Sequence, residues 1–167
     1  MRSSCPGRPA WLVALGSLLL VLRLAFADDG VGVVGIWKLV SYEVEFQSTG
    51  KKDPIFGEKP TGYVVFTPEQ RVFILLTAEG RKPAKTDEER AELLMNLLAF
   101  TGRYRLEEGK WITSVDVAWS PAWVGTEQVY SYKVNADRLQ VLTQWRVMTN
   151  WPNKDIVRTI ITFERAK

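Results

Sequence analysis

Alternation of apolar and polar residues predicts β-strands along most of the chain. From Val40 to Phe46 every second side chain is apolar, which is typical of a strand with one buried face. Further strand signals follow, separated by turn residues such as Glu108-Gly109. The predicted strands are Val40–Phe46, Gly62–Thr67, Arg71–Thr77, Arg103–Glu107, Trp111–Trp119, Gln128–Val134, Arg138–Arg146 and Ile156–Arg165.

Two of these strands show which side chains are expected to share a face. Every second position is apolar or Thr in two sets, which are Trp111, Thr113, Val115, Val117 and Trp119, and Leu139, Val141, Thr143 and Trp145. Because side chains alternate along a strand, each set is expected to line a core. Arg138, Gln140, Gln144 and Arg146 are mostly expected on the opposite face.

One segment carries a helix signal instead. Thr86 and Glu89 form a capping box, in which each side chain hydrogen-bonds the backbone N–H of the other residue. Leucine, methionine and alanine residues follow at helical spacing as far as Phe100, just before Gly102. The pattern predicts a helix over about residues 86–100, with a wide apolar arc that packs against another apolar surface.

These elements predict an all-β fold. Eight strands joined mostly by tight connections favour an antiparallel meander, with the helix inserted after the third strand. Eight strands can close into a barrel, which removes exposed edges and leaves room for side chains or one small ligand. An open sandwich is the alternative architecture.

The first 27 residues have the organisation of a secretory signal peptide. Arg2 and Arg8 precede an apolar run from Trp11 to Leu22, and Ala25-Phe26-Ala27 matches a cleavage site. Cleavage after Ala27 would leave a single domain of residues 28–167, periplasmic or secreted and free of the membrane. The alternative is an uncleaved N-terminal anchor.

Charge and composition exclude several function classes. The formal charge of +3 comes from 22 basic and 19 acidic residues, and the predicted signal peptide contains three of the basic ones and no acid. The remaining domain is neutral, so no basic face points to nucleic acid or to an anionic membrane.

The chain contains no histidine, and its only cysteine precedes the predicted cleavage site. Histidine-dependent catalytic triads and the usual zinc, copper and haem sites are therefore excluded. No cofactor is expected. A calcium or magnesium site made of carboxylates alone stays open, although no D-x-D-x-D-G spacing is present.

Aromatic residues supply the candidate ligand contacts. Ligand pockets are mostly apolar with a few directed polar groups, and this chain has many large rings on predicted strand faces. The candidate ligand-binding residues are Tyr63, Tyr104, Trp119, Trp123, Glu127, Tyr130 and Trp145.

Glu127 allows two readings. Inside an apolar cavity its pKa would rise and it would serve as an acid or base. Alternatively, it pairs with Arg103 or Arg105 and fastens the barrel mouth.

Several short motifs resemble those of the lipocalin-like family of single-domain bacterial and fungal proteins. They occur in order along the domain and are Gly35-Ile36-Trp37-Lys38-Leu39-Val40-Ser41, Pro60-Thr61-Gly62-Tyr63, Thr67-Pro68, Gly102-Arg103-Tyr104 and Trp123-Val124-Gly125-Thr126-Glu127-Gln128. The resemblance implies an eight-stranded calycin-type barrel and leaves the function open. Gln70 departs from the pattern, because members tend to have Gly in that turn.

The resemblance also implies structural roles. Trp37 would close the barrel base beneath an arginine from the last strand, either Arg165 or Arg158. Gly125 would let the chain turn at a barrel corner.

Three functions remain open at this point. The favoured one is an exported, non-catalytic barrel that binds a small hydrophobic molecule. The second is a cofactor-free cyclase or isomerase that uses Glu127 with Tyr104 or Tyr130. The third is a filled barrel whose helix 86–100 docks onto a partner.

Overall fold

The computed structural model describes Met1 and residues 32–147 and 155–167. The predicted signal peptide beyond Met1 and a predicted loop at Asn150–Asn153 lie outside the described residues. Within the described ranges, no helix is long and apolar enough to cross a membrane.

Strands make up most of the described chain. They are β1 (Gly35–Phe46), β2 (Lys52–Asp53), β3 (Thr61–Phe66), β4 (Arg71–Thr77), β5 (Leu97–Glu107), β6 (Lys110–Ala118), β7 (Glu127–Asn135), β8 (Arg138–Leu142), β9 (Arg146–Val147) and β10 (Ile156–Arg165). Helix α1 spans Asp87–Met95, and a short 3₁₀ turn spans Pro121–Trp123.

The sheet closes on itself. Neighbouring strands follow the order β1-β3-β4-β5-β6-β7-β8-β10, and β10 pairs back with β1 from Trp37–Arg165 to Phe46–Val157. All of these pairings are antiparallel. The two-residue strands β2 and β9 only extend the edges of β1 and β10. The predicted eight-stranded antiparallel barrel is therefore confirmed.

The two ends of the barrel differ in their connections. At the end where β1 begins, which we call the base, short turns join β3 to β4, β5 to β6 and β7 to β8. Glu108 and Gly109 both have positive φ, as a two-residue hairpin of this kind requires. Gln70 also has a positive φ, of 61°, at a place where glycine would adopt it without strain. Longer connections lie at the opposite end, which we call the open end.

Trp37 fills the base. Its side chain is fully buried, and its indole N–H donates a hydrogen bond of 2.7 Å to the Val33 carbonyl. The Arg165 guanidinium lies 4.2 Å from the centroid of the Trp37 ring and donates to the Gly32 carbonyl at 2.8 Å. A cation over indole contributes about 0.5–2 kcal/mol, depending on its exposure. Arg158, the other candidate for this contact, lies over Trp145 instead.

The helix begins as predicted but ends earlier. Thr86 and Glu89 form the expected reciprocal capping box. The helix ends at Met95, and the next apolar run is strand β5, whose Leu97 pairs with Thr77. Pairing along β4 buries Leu98 and Phe100, which a helix continued into solvent would leave exposed. The helix also buries no side chain, so the prediction of an apolar packing face is wrong.

Irregular pairing changes which residues face inward. In β6, Val115 pairs with Gly102 but Val117 pairs with Thr101, so one residue, Asp116, is left over. Such a bulge reverses the alternation beyond it. Val117 is therefore 62% exposed on the outer surface, and the expectation that it shares the face of Trp111 is wrong.

Gly102 is expected to tolerate no side chain, because of the strand beside it. A Cβ there would lie 2.1 Å from the Ser114 carbonyl oxygen, which belongs to the neighbouring strand and cannot move aside alone. We expect Gly102→Ala to lower the free energy of unfolding by about 3 kcal/mol, the upper part of the overpacking range. Urea denaturation measures this change.

Gly80→Ala is the matched control. Its Cβ would meet nothing within 4 Å, and only the positive φ of 73° opposes it. A loss of about 1 kcal/mol is expected there. Equal losses in the two variants would contradict the close approach of β5 and β6 at Gly102.

Candidate ligand-binding site

A cavity of about 570 Å³ opens at the end of the barrel opposite Trp37. Its wall combines aromatic and aliphatic side chains with a few polar ones, contributed by the strand ends and by the longer connections. The lining residues include Tyr42, Phe56, Trp119, Trp123, Glu127, Gln128, Tyr130, Thr143, Trp145 and Arg146.

One wall is built by the turn between β6 and β7. Pro121, which lacks the N–H that a strand pairing needs, starts the 3₁₀ turn that ends at Trp123. Gly125 then adopts a φ of 79°, and its N–H donates to the Val115 carbonyl at 2.9 Å. The turn holds the Trp119 and Trp123 rings edge to face, with centroids 4.7 Å apart. This geometry is a favourable one for aromatic pairs.

The opposite wall and the floor are also aromatic. Tyr42 stacks on Phe56, a residue of the β1–β3 connection, with centroids 4.3 Å apart. Tyr130 lies against Trp111 at 4.8 Å, and Trp111 is buried in the filled half of the barrel. Tyr130 is therefore the point at which the packed core ends and the cavity begins.

The two tyrosine hydroxyls of the cavity stay protonated well into the alkaline range. Burial raises the pKa of Tyr42 and of Tyr130 above the ordinary value, because the phenolate would lose its solvation. The positive charge of Arg146 opposes this rise in the pKa at both residues, and a hydrogen bond with Thr159 opposes it at Tyr42. At neutral pH both hydroxyls are hydrogen-bond donors.

The carboxylate of Glu127 is bonded to an arginine and is not a free group in the cavity. Glu127 contributes to the rim, but its carboxylate accepts hydrogen bonds of 2.6 and 3.3 Å from both terminal nitrogens of the Arg105 guanidinium. The Arg105 hydrogen bonds hold the pKa of Glu127 below its usual value. The pairing of Glu127 with Arg105, as in the second reading, is therefore observed, and it lies on the outer surface of β5 to β7.

Two predicted ligand contacts lie elsewhere. Tyr63 points to the outer surface of β3 and is 49% exposed. Tyr104 is buried toward the base, where its ring packs edge to face against Phe66 and its hydroxyl donates to the Thr67 carbonyl at 3.0 Å. The other five candidates, which are Trp119, Trp123, Glu127, Tyr130 and Trp145, line the cavity or its rim.

Arg146 and Phe56 are cavity residues that the sequence did not indicate. Simple alternation placed Arg146 on the outer face with Arg138. Strand β8 ends at Leu142, however, and three residues without strand pairing separate it from β9, so the alternation starts anew at Arg146. Phe56 comes from a connection, whose path no periodicity reveals.

The sequence profile that describes the lipocalin-like domain matches residues 34–166. The chain belongs to this family. The match covers every strand of the barrel, the helix and the whole cavity wall, so the site lies within the family's domain.

Solved structures with a similar shape share little sequence with this lipocalin-like domain. A lipocalin-like protein from Bacteroides uniformis is 10% identical, with a TM-score of 0.44, and the match covers 81% of this chain and 99% of that one. A protein from Bacteroides eggerthii is 12% identical, with a TM-score of 0.41, over 80% of this chain and 99% of that one. Among curated proteins, none matches the chain.

The lipocalin-like barrel also has an apolar depression on its outer face. It lies across β3 to β6 and includes Phe73, Leu75 and Val117, which are each about half exposed or more. Ligand sites enclose most of their ligand, whereas this surface is open along its length. The described residues contain no cluster of His, Cys, Asp and Glu that would hold a metal ion.

The raised pKa of Tyr130 predicts a loss of stability in alkali. The folded state cannot release this proton as readily as the unfolded chain, so the contribution of Tyr130 is complete below its ordinary pKa and is lost as pH rises above it. In Tyr130→Phe nothing ionises at this position. Between about pH 9 and pH 11.5, its free energy of unfolding should therefore fall by about 1–2 kcal/mol less than that of the wild type.

Chemical denaturation at a series of pH values checks this prediction. Tyr63→Phe is the control, because that ring is half exposed on the outer surface and should follow the wild type. Tyr42 and Arg146 face Tyr130 and stay unchanged in both variants. Parallel pH profiles for Tyr130→Phe and the wild type would show that this hydroxyl is not buried.

Proposed function

We propose that this lipocalin-like domain binds a small, largely apolar molecule in the cavity at the open end of its barrel. The observation that carries the proposal is the cavity itself, about 570 Å³ with Trp119, Trp123 and Trp145 on its wall. This volume falls in the range of small-molecule sites, and the mixture of apolar wall with few polar groups matches their usual composition.

The contrast between the two halves of the barrel supports this proposal. In the half of the barrel at the base, four large rings are almost completely buried, those of Trp37, Phe66, Trp111 and Phe163. Protein interiors are normally packed to the density of organic crystals. At the open end large rings surround a space without filling it, and Trp145 stays 38% exposed. A bound apolar molecule would cover this surface and gain about 25 cal/mol per Å² of apolar area removed from water.

Binding fits the site better than catalysis does. Glu127 is the only Asp or Glu among the cavity-lining residues of the described chain, and it is tied to Arg105. The tyrosine hydroxyls are protonated at neutral pH, and burial raises their pKa further from it. Groups of this kind orient a ligand, whereas a general acid or base needs a pKa near the working pH.

We also propose that the protein is exported to the periplasm or secreted. Support comes from the positive residues, apolar run and Ala25-Phe26-Ala27 site in the first 27 residues. A carrier of apolar molecules would meet its ligand outside the cytoplasm in that case.

Filling the cavity with a larger side chain should weaken ligand binding. Gln128 is half-buried on the inner face of β7 and lines the cavity, so the larger ring of Gln128→Trp would occupy ligand space. For the neutral fluorophore N-phenylnaphthylamine we expect at least about a tenfold weaker affinity, the equivalent of 1.4 kcal/mol. Fluorescence titration measures it.

Gln140→Trp is the matched control, since Gln140 lies exposed on β8, outside the barrel. It should bind the fluorophore as the wild type does. Wild-type protein that does not bind the fluorophore, or that binds it equally well after Gln128→Trp, would contradict the proposed site.

Export has its own test. When the full chain is expressed in a bacterium, the mass of the protein recovered outside the cytoplasm should correspond to residues 28–167. Replacing Ala27 by a bulky residue, as in Ala27→Trp, should block cleavage because the site requires small side chains. Recovery of the uncleaved wild-type chain with the membrane fraction would support the anchor instead.

A further inference from the structure

Two ion pairs tie strands of the barrel wall together. Glu127 pairs with Arg105 on the outer surface of β5 to β7. In the second pair Glu45 accepts a hydrogen bond of 2.5 Å from Arg158, whose guanidinium also lies 4.5 Å from the Trp145 ring centroid. Within each pair the positive and the negative charge compensate each other. Each pair also ties together strands of the barrel wall.

Among the described residues that line the cavity, Arg146 is the only Lys or Arg. It forms no ion pair with any other described residue. The adjoining residues 148–154 contain no Asp or Glu, so they provide no carboxylate for it. As far as the described residues show, the cavity therefore carries one positive charge without an ion pair, beside an apolar wall.

Hydroxyl donors lie within reach of the same charge. Arg146 influences both Tyr42 and Tyr130, which line the cavity with it. The Tyr130 hydroxyl makes no hydrogen bond to another described residue. A guanidinium offers only donors, and each neutral hydroxyl adds one more donor. Charge-assisted hydrogen bonds to a carboxylate or phosphate are about twice as strong as neutral ones.

We propose that the ligand is an amphiphile with an anionic group, held by Arg146, Tyr42 and Tyr130 while its apolar part lies against the tryptophan wall. This inference rests on the proposed function and specifies the class of its ligand. An anionic group satisfies the unpaired cation and the donor hydroxyls together. A cationic group would repel Arg146, and a purely apolar ligand would leave polar groups unpaired.

Ligands that share one chain and differ in their head group test this proposal. We would titrate the protein with dodecanoate, dodecyl phosphate, dodecanol and dodecylammonium, all at neutral pH, and follow tryptophan fluorescence or binding heat. Dodecanoate or dodecyl phosphate should bind at least about tenfold more tightly than dodecanol, in line with one charge-assisted contact. The tighter of the two anions identifies a carboxylate or a phosphate ligand.

Substitutions then locate the contact. Arg146→Gln should bind the anion no more tightly than dodecanol. Its affinity for dodecanol should be unchanged, which also shows that the variant is folded. Tyr42→Phe and Tyr130→Phe should each reduce, without removing, the difference in affinity between the anion and dodecanol. Arg138→Gln is the control, because this exposed arginine lies at the base, at the start of β8, and should bind as the wild type does.

The outcomes separate the two proposals. Equal affinity of the wild type for the anions and for dodecanol, with binding still lost in Gln128→Trp, supports the cavity and overturns the anionic ligand. An anion preference that survives Arg146→Gln overturns the assignment to Arg146. If no member of the series binds, both proposals fail.

Discussion

The burial of Trp37 under Arg165 is the contact on which the rest of the structure depends. It joins the first strand to the last at the place where the sheet closes, and it fills one end of the barrel. The guanidinium also ties the segment before β1 to the base through the Gly32 and Val34 carbonyls. With the base sealed, any internal space lies at the other end.

The open end is built from connections, whereas the base is built from turns. Phe56, Trp119 and Trp123 reach the cavity from segments between strands, and Arg146 reaches it from a two-residue strand. Connections tolerate change in sequence while the barrel keeps its shape. Arg146 lines this cavity and forms no ion pair with another described residue.

Alternation and short motifs predicted the barrel, the helix start and the partners of the base, because each depends on local pattern. The errors have physical causes. A single extra residue at Asp116 reverses the faces beyond it and exposes Val117. The apolar run Leu97–Phe100 suits helix and strand alike, and its pairing with β4 decides between them. Tyr63 and Tyr104 lie away from the cavity, and pattern alone does not reveal this, because an aromatic ring on a strand suits the outer face, the packed core or a cavity.

Tryptophan resonances distinguish a ligand at the open end from one in the base, since tryptophan side chains lie at both ends of the barrel. In a two-dimensional NMR spectrum of the indole N–H groups, dodecanoate should shift the signals of Trp119, Trp123 and Trp145. The signals of Trp37 and Trp111 should stay in place, because both rings are buried below the cavity floor and their N–H groups are bonded to Val33 and Thr113. Shifts confined to Trp37 and Trp111, or no shift at saturating ligand, would contradict the account.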